Sequence, residues 1–204
     1  MSGTTKEYRD RRDFRKTAEP AGDGGGGSGG DPIWVIHEHD ASSRHFDFRL
    51  EVGGVLKSWA VPKGPSTDPA DKRLALATED HPMGYADFEG VIPEGEYGAG
   101  PVIVWDRGTY ANLAEDDEGD PVPMADQVAN GHVTIRLEGG CKLAGGYALT
   151  RMDNREEEMW LLVKMDDAEA DARRNPVSTE PESVKSGRTL AEVAEAGGAA
   201  SEAE

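Results

Sequence analysis

The sequence predicts a mainly β protein, a compact antiparallel β-barrel with few short helices. Three observations predict it. From Ile33 onward eight short strand-like runs, IWVIHEH, HFDFRLEV, LKSWAV, RLALATE, VIVWDRGTY, HVTIRLEG, YALTRM and MWLLVKM, alternate with segments rich in Gly, Pro and Asp. Hairpin chemistry stands between several of them, as VGG and PEGEYGAG. With 26 glycines, 36% hydrophobic residues and little helical periodicity, the chain suits a turn-rich fold better than a helical bundle.

Taken in order, the chain opens with an arginine-rich arm, YRDRRDFRKTAEP (Tyr8 to Pro20), which reads either as a disordered charged tail or as a basic segment that closes over an anionic substrate. The run GDGGGGSGG, Gly22 to Gly30, is linker chemistry. GEYGAG lacks the Lys-Ser/Thr of a phosphate-cradling loop and reads as a hairpin. Trp34, Trp59, Trp105 and Trp160 sit in apolar runs and are expected in the core. EDDEGD and DNREEEM are expected to be acidic surface turns without the spacing of a calcium loop. After Met165 the chain turns polar and acidic; PESVKSGRTLAEVAEA has room for one short helix, and GGAASEAE is expected to be disordered. The expected division is therefore an arm and linker over 1–31, a barrel domain over 32–168, and an acidic, largely disordered tail over 169–204.

The 204 residues suffice for one ordinary domain with a sizeable core. No apolar run of about 18 residues appears, the first residues lack the apolar stretch of a secretory signal, and the single cysteine, Cys141, has no internal disulfide partner. A cytoplasmic monomer without membrane contact is expected. The net charge is −18, from 40 acidic and 22 basic residues. The barrel segment shares in it: between Pro32 and Met165, 24 acidic against 12 basic residues leave −12. Such a surface argues against a broad basic track for nucleic acid and fits a salt-rich cytoplasm, where repulsion is screened.

The chemistry concentrates in HFDFRL. On a strand, Phe46, Phe48 and Leu50 would face the core while His45, Asp47 and Arg49 face the other way. If DASSR is the turn between the first two runs, His39 lies beside His45, and two imidazoles meet one carboxylate. That set suits Mn²⁺, Fe²⁺ or Zn²⁺ with coordination positions left open. Arg49 either neutralises Asp47 or reaches past it to grip an anion. EDHPMGY adds His81 as a general acid and Tyr85 as a hydroxyl donor, AVPKGPS adds Lys63, and DKRLAL adds Arg73. Around a metal, such cations describe a pocket for a phosphoryl group.

The run from HDASSRHFDFRLEV through LKSWAVPKGPSTDPADKRLALATEDHPMGYADFEGVIPEGEYGAGPVIVWDRGTY resembles the 3′-phosphoesterase domain of bacterial DNA ligase D and its free-standing relatives. The resemblance runs from about Tyr8 to Met165, with weaker similarity in KLAGGYALTRM, MWLLVKM and SGRTLAEVA. It implies a β-barrel enzyme that removes a terminal ribonucleoside and then the remaining 3′-phosphate from DNA or RNA primer ends, leaving a 3′-hydroxyl, with manganese as its metal. It implies His39, His45 and Asp47 as metal ligands, Arg49 and His81 on the phosphate with Tyr85 beside them, and Lys63 and Arg73 as further phosphate-side residues. The arm's RRDF would contribute Arg12, Asp13 and, further on, Glu19 to closing the site. A separate ligase or polymerase is an implied partner. His37 stands where the family usually has glutamine, and Ser43-Arg44 replaces a basic-then-aliphatic pair. On strand alternation His37 shares a face with His39 and is either a competing ligand or a neutral variant.

Two other readings use the same residues. His45, Asp47 and His81 can be written as the two-histidine-one-carboxylate set of a non-haem iron oxygenase. The chain can also be written as a non-catalytic module that binds nucleic-acid ends.

Overall fold

A computed structural model describes residues 5–22, 29–152 and 158–201, with side chains through residue 197. The acidic turn expected at DNREEEM and most of the glycine linker lie outside the described residues.

Nine strands form one antiparallel sheet: β1 (Ile33–Asp40), β2 (Arg44–Val52), β3 (Val55–Val61), β4 (Arg73–Pro82), β5 (Gly90–Ile92), β6 (Gly100–Asn112), β7 (His132–Glu138), β8 (Gly145–Arg151) and β9 (Met159–Lys164). The order is β1-β2-β3-β4-β9-β8-β7-β6, and a β1–β6 pairing closes these eight into a barrel, with β5 added outside on β6. Closure removes the sheet edges that an open antiparallel meander would leave unpaired. The expected barrel is present, and the eight expected runs are its eight staves. Among the described residues, four short α-helices accompany it: α1 (Lys6–Asp10), α2 (Met124–Asn130), α3 (Pro176–Thr179) and α4 (Leu190–Ser201). None is long and apolar enough to cross a membrane.

Alternation decides what lies inside. Trp34 and Ile36 of β1, Phe46, Phe48 and Leu50 of β2, Trp59, Trp105, Ile135, Tyr147, Leu149 and Trp160 all belong to one buried cluster drawn from every stave. The four tryptophans are core, as expected. Their neighbours Val35, His37, His39, Asp47 and Arg49 project from the other side of the wall. There a second apolar cluster, with Tyr8, Val35, Leu56, Tyr85, Phe88, Ile92, Val102 and Val104, forms a layer outside the barrel. The arm, β5 and a 3₁₀ turn over Met83–Asp87 supply that layer.

Two local devices set the register. Between β2 and β3, Gly53 and Gly54 both take positive φ (+62° and +82°), the requirement of a two-residue hairpin turn whose twist matches the strands. In β4 one extra residue intervenes: Leu56 pairs with His81, yet Ser58, two residues on, pairs with Thr78, three residues back. This bulge turns both Thr78 and His81 to the same side of the wall.

Residues after 168, read from composition as a largely disordered tail, pack against the barrel. The Glu180 carbonyl accepts from Trp105 Nε1 (2.9 Å) and Lys142 Nζ (2.8 Å), and Val184 N–H donates to the Val104 carbonyl (3.0 Å). Val193 of α4 is 2% exposed. Acidity misled the sequence reading because a few valines and backbone groups, not overall composition, carry these contacts.

Candidate metal and phosphate site

The turn over residues 41–43 brings β1 and β2 together so that His39 pairs with His45 and His37 with Asp47. One metal-binding atom from each of His39, His45 and Asp47 lies within 4.8 Å of the others. His39 Nδ1 stands 4.0 Å from Asp47 Oδ2, and His45 Nε2 stands 3.6 Å from Asp47 Oδ1. The other ring nitrogens face backbone carbonyls: His39 Nε2 lies 2.8 Å from the Gly98 carbonyl and His45 Nδ1 lies 2.9 Å from the Ser43 carbonyl. A carbonyl only accepts, so those nitrogens carry protons, and in the neutral tautomer the nitrogens turned to Asp47 are the ones that would offer lone pairs. Burial, opposed by Asp47, holds the His39 pKa below its ordinary value, which keeps the ring in the neutral form a metal needs. The donor set therefore fits a divalent cation.

Arg49, 2% exposed, is fixed on three sides. Its Nη2 donates to Asp47 Oδ2 (2.9 Å), its Nη1 to Ser58 Oγ (2.7 Å), and its Nε to His37 Nδ1 (3.4 Å). Ser58 passes its own proton to the Leu56 carbonyl (3.0 Å), which leaves its oxygen to accept. His37 is fully buried and kept neutral, first by burial and then by the Arg49 charge. With Nδ1 committed to Arg49, it stands outside the ligand cluster and acts as a prop for the guanidinium.

His81 donates Nδ1–H to the Glu79 carbonyl (2.9 Å), and its ring lies 4.7 Å from that of Tyr85 and 4.9 Å from that of Tyr8. Burial, then the charges of Arg49 and Arg12, push its pKa well below the usual value, so its Nε2 is an unprotonated lone pair. The Tyr85 ring, 2% exposed, sits 4.9 Å from the Arg49 guanidinium, and burial raises its hydroxyl pKa. His39, His45, Asp47, Arg49, His81, Tyr85 and Arg12 all line one cavity of about 530 Å³, within the range of small-ligand sites.

The arm forms one wall. Arg12 Nε donates to Glu19 Oε1 (2.8 Å), while Nη1 donates to the Tyr8 carbonyl (3.0 Å) and to Glu79 Oε1 (3.2 Å). Its guanidinium lies 3.8 Å from the Tyr8 ring centre. Glu19 is buried against Arg12 and Thr17, so it positions Arg12 without facing the cavity.

Besides Glu19, three residues read from the sequence are not brought into this cavity. Asp13 pairs locally with Arg15 (3.0 Å) and Lys16 (3.8 Å). Lys63 is exposed in the turn after β3, and Arg73 donates to Asp71 (2.6 Å). Conversely, Ser58, Glu79, Tyr97 and Gly98 shape the site without having been singled out. The alternation of β3 was the available signal for Ser58; Tyr97 and Gly98 lie in the GEYGAG turn, a hairpin as expected, which also forms the cavity's rim.

A family profile described as the DNA Ligase D 3′-phosphoesterase domain matches residues 37–151, more than half of the chain. The chain belongs to this family. A multifunctional non-homologous end joining protein LigD of Pseudomonas aeruginosa is 49% identical over 188 residues, covering 90% of this chain and 21% of that protein. A multifunctional non-homologous end joining DNA repair protein LigD of Mycobacterium tuberculosis is 46% identical over 158 residues, covering 78% of this chain and 19% of that protein. This phosphoesterase-family chain therefore spans about a fifth of the length of these curated relatives. Its metal cluster, Arg49, His81 and Tyr85 all fall inside the matched segment; Arg12 and Glu19 precede it.

Proposed function

We propose that this chain is a manganese-dependent 3′-end-healing phosphoesterase, which removes a 3′-terminal ribonucleoside and then the 3′-phosphate from DNA or RNA primer ends to leave a 3′-hydroxyl. The observation that carries the reading is the convergence of a His-His-Asp set and a propped arginine on one cavity in a member of this family. His39, His45 and Asp47 would hold the cation, and mixed imidazole and carboxylate donors suit Mn²⁺. Once bound, such a cation supplies Lewis-acid polarisation of a phosphoryl oxygen.

The side chains supply the rest. Arg49 has five N–H groups, of which three are committed, so one on each terminal nitrogen remains for phosphate oxygens. Arg12 Nη2 has no partner among the described residues and offers two more from the arm. His81 meets the anion with a bare Nε2; a phosphate's negative charge raises its proton affinity, so it takes up a proton that it can return to the leaving oxygen. Tyr85 backs Arg49 and His81 and keeps water from both. In this reading the barrel (32–168) is the catalytic unit, with the arm (1–31) and the segment 169–204 as accessories. A monomer in the cytoplasm, handing healed ends to a separate ligase or polymerase, completes the proposal.

A gel assay on primer-templates ending in a 3′-ribonucleotide or a 3′-phosphate tests it. We expect conversion to 3′-hydroxyl ends with Mn²⁺ and none in EDTA. Fe²⁺-dependent oxygen consumption without end conversion would instead establish the oxygenase reading. Tight end binding without turnover under any metal would establish the non-catalytic one.

A further inference from the structure

Resting on that reading, the geometry points to a nucleobase-stacking platform: Tyr97, backed by Arg11, receives the base of the terminal nucleotide while its phosphate enters the cavity. Among the described phenylalanines, tyrosines and tryptophans, Tyr97 is the only exposed one, at 48%. It is held still despite its exposure. Arg11 Nη1 donates to its hydroxyl (2.8 Å), and that guanidinium is tied to Glu79 (3.3 Å) and to Glu7. The Arg11 and Arg12 guanidinium carbons lie 4.9 and 5.5 Å from the ring centre. An immobilised ring loses little further entropy when a base stacks on it.

Position and charge both favour a base as the ligand. Tyr97 lines the same cavity as His39 and Arg12, and the next residue, Gly98, contacts His39 through its carbonyl. The barrel segment's acidic excess weakens long-range attraction for the phosphate backbone. Stacking needs no charge, contributes about 1–3 kcal/mol per base, and tolerates any base. It is the form of grip left to a protein with this surface.

The test compares two duplex primers ending in 3′-phosphate, one with thymine on the terminal sugar and one abasic there. We expect wild-type kcat/KM to favour the thymine end by roughly tenfold, the equivalent of about 1.4 kcal/mol, and the ratio to collapse toward one in Tyr97→Ala while Tyr97→Phe retains it. A ratio that persists in Tyr97→Ala overturns the platform. Binding is read separately from the fluorescence of a terminal 2-aminopurine, which we expect wild type to quench and Tyr97→Ala not to. Quenching without phosphate release upholds the platform and sinks the proposed activity; phosphate release without quenching does the reverse.

Discussion

Arg49 Nη2 donates to Asp47 Oδ2 at 2.9 Å, so the guanidinium placed to hold an anion also touches a carboxylate placed to hold a cation. The pair sets two opposite charges side by side in a buried position. Each stays available to a ligand because the remaining contacts, Ser58 and His37 for Arg49, do the holding.

Arg49→Lys keeps the charge and loses the fork. A lysine reaches neither Ser58 and His37 nor two phosphate oxygens together. Losing one or two charge-assisted hydrogen bonds, about 1.5–3 kcal/mol, we expect kcat/KM for 3′-phosphate ends to fall roughly ten- to a hundredfold, measured by steady-state phosphate release.

His45→Ala removes a partly exposed ring from the metal cluster. We expect the barrel's circular dichroism to persist and turnover to vanish. At 100-fold excess over its Kd a cation stabilises the fold by about 2.7 kcal/mol, so wild type should gain roughly 5–10 °C in Tm with Mn²⁺. The variant should gain far less, and an equal gain would mean that the cation binds elsewhere.

Glu79→Ala releases the arm. Glu79 takes both Arg11 (3.3 Å) and Arg12 (3.2 Å), and among the described residues it is the one hydrogen-bond acceptor on the barrel side for Arg12. We expect trypsin to cut within residues 9–16 at least several-fold faster than in wild type, with activity reduced through Arg12, while the barrel resists cleavage.

His37→Gln alters the acid limb of stability. Burial holds His37 neutral, with its folded-state pKa well below 6.5. The unfolded chain thus binds a proton that the native chain does not, so stability is full above about pH 6.5 and falls as pH drops below it. Each such histidine contributes a slope of up to about 1.4 kcal/mol per pH unit. Urea unfolding in EDTA from pH 5 to 8 should show a slope smaller by about one proton in the variant; His81 and His39 sustain the remainder.

The barrel was legible because its signal is periodic: apolar residues every second position in HFDFRL and its sister runs dictate one wall with two faces. The meeting of His39 with His45 was legible too, since a short polar turn between complementary strands leaves little choice of register. What lay hidden depends on non-local geometry. β5 has three residues and too little pattern, α2 spans only seven residues, too few to show a helical period, and the β4 bulge that brings Thr78 and His81 to one side leaves no mark in composition. The role of Glu79 could not be seen from a strand whose partner is an arm some 68 residues away. Lys63 and Arg73 are tied to the site by their charge and by the family resemblance, and neither of these says which wall of a barrel a side chain serves.

The Gly98 carbonyl that fixes the His39 tautomer belongs to the residue directly after Tyr97. A displacement of this hairpin therefore reaches the imidazole through a single hydrogen bond, and a reorientation of the imidazole pulls on the hairpin. Thermodynamic reciprocity follows: whatever factor an occupant of the rim imposes on cation affinity, the cation must impose on that occupant. If the proposed ion and strand terminus both bind, each would report on the other through one peptide unit.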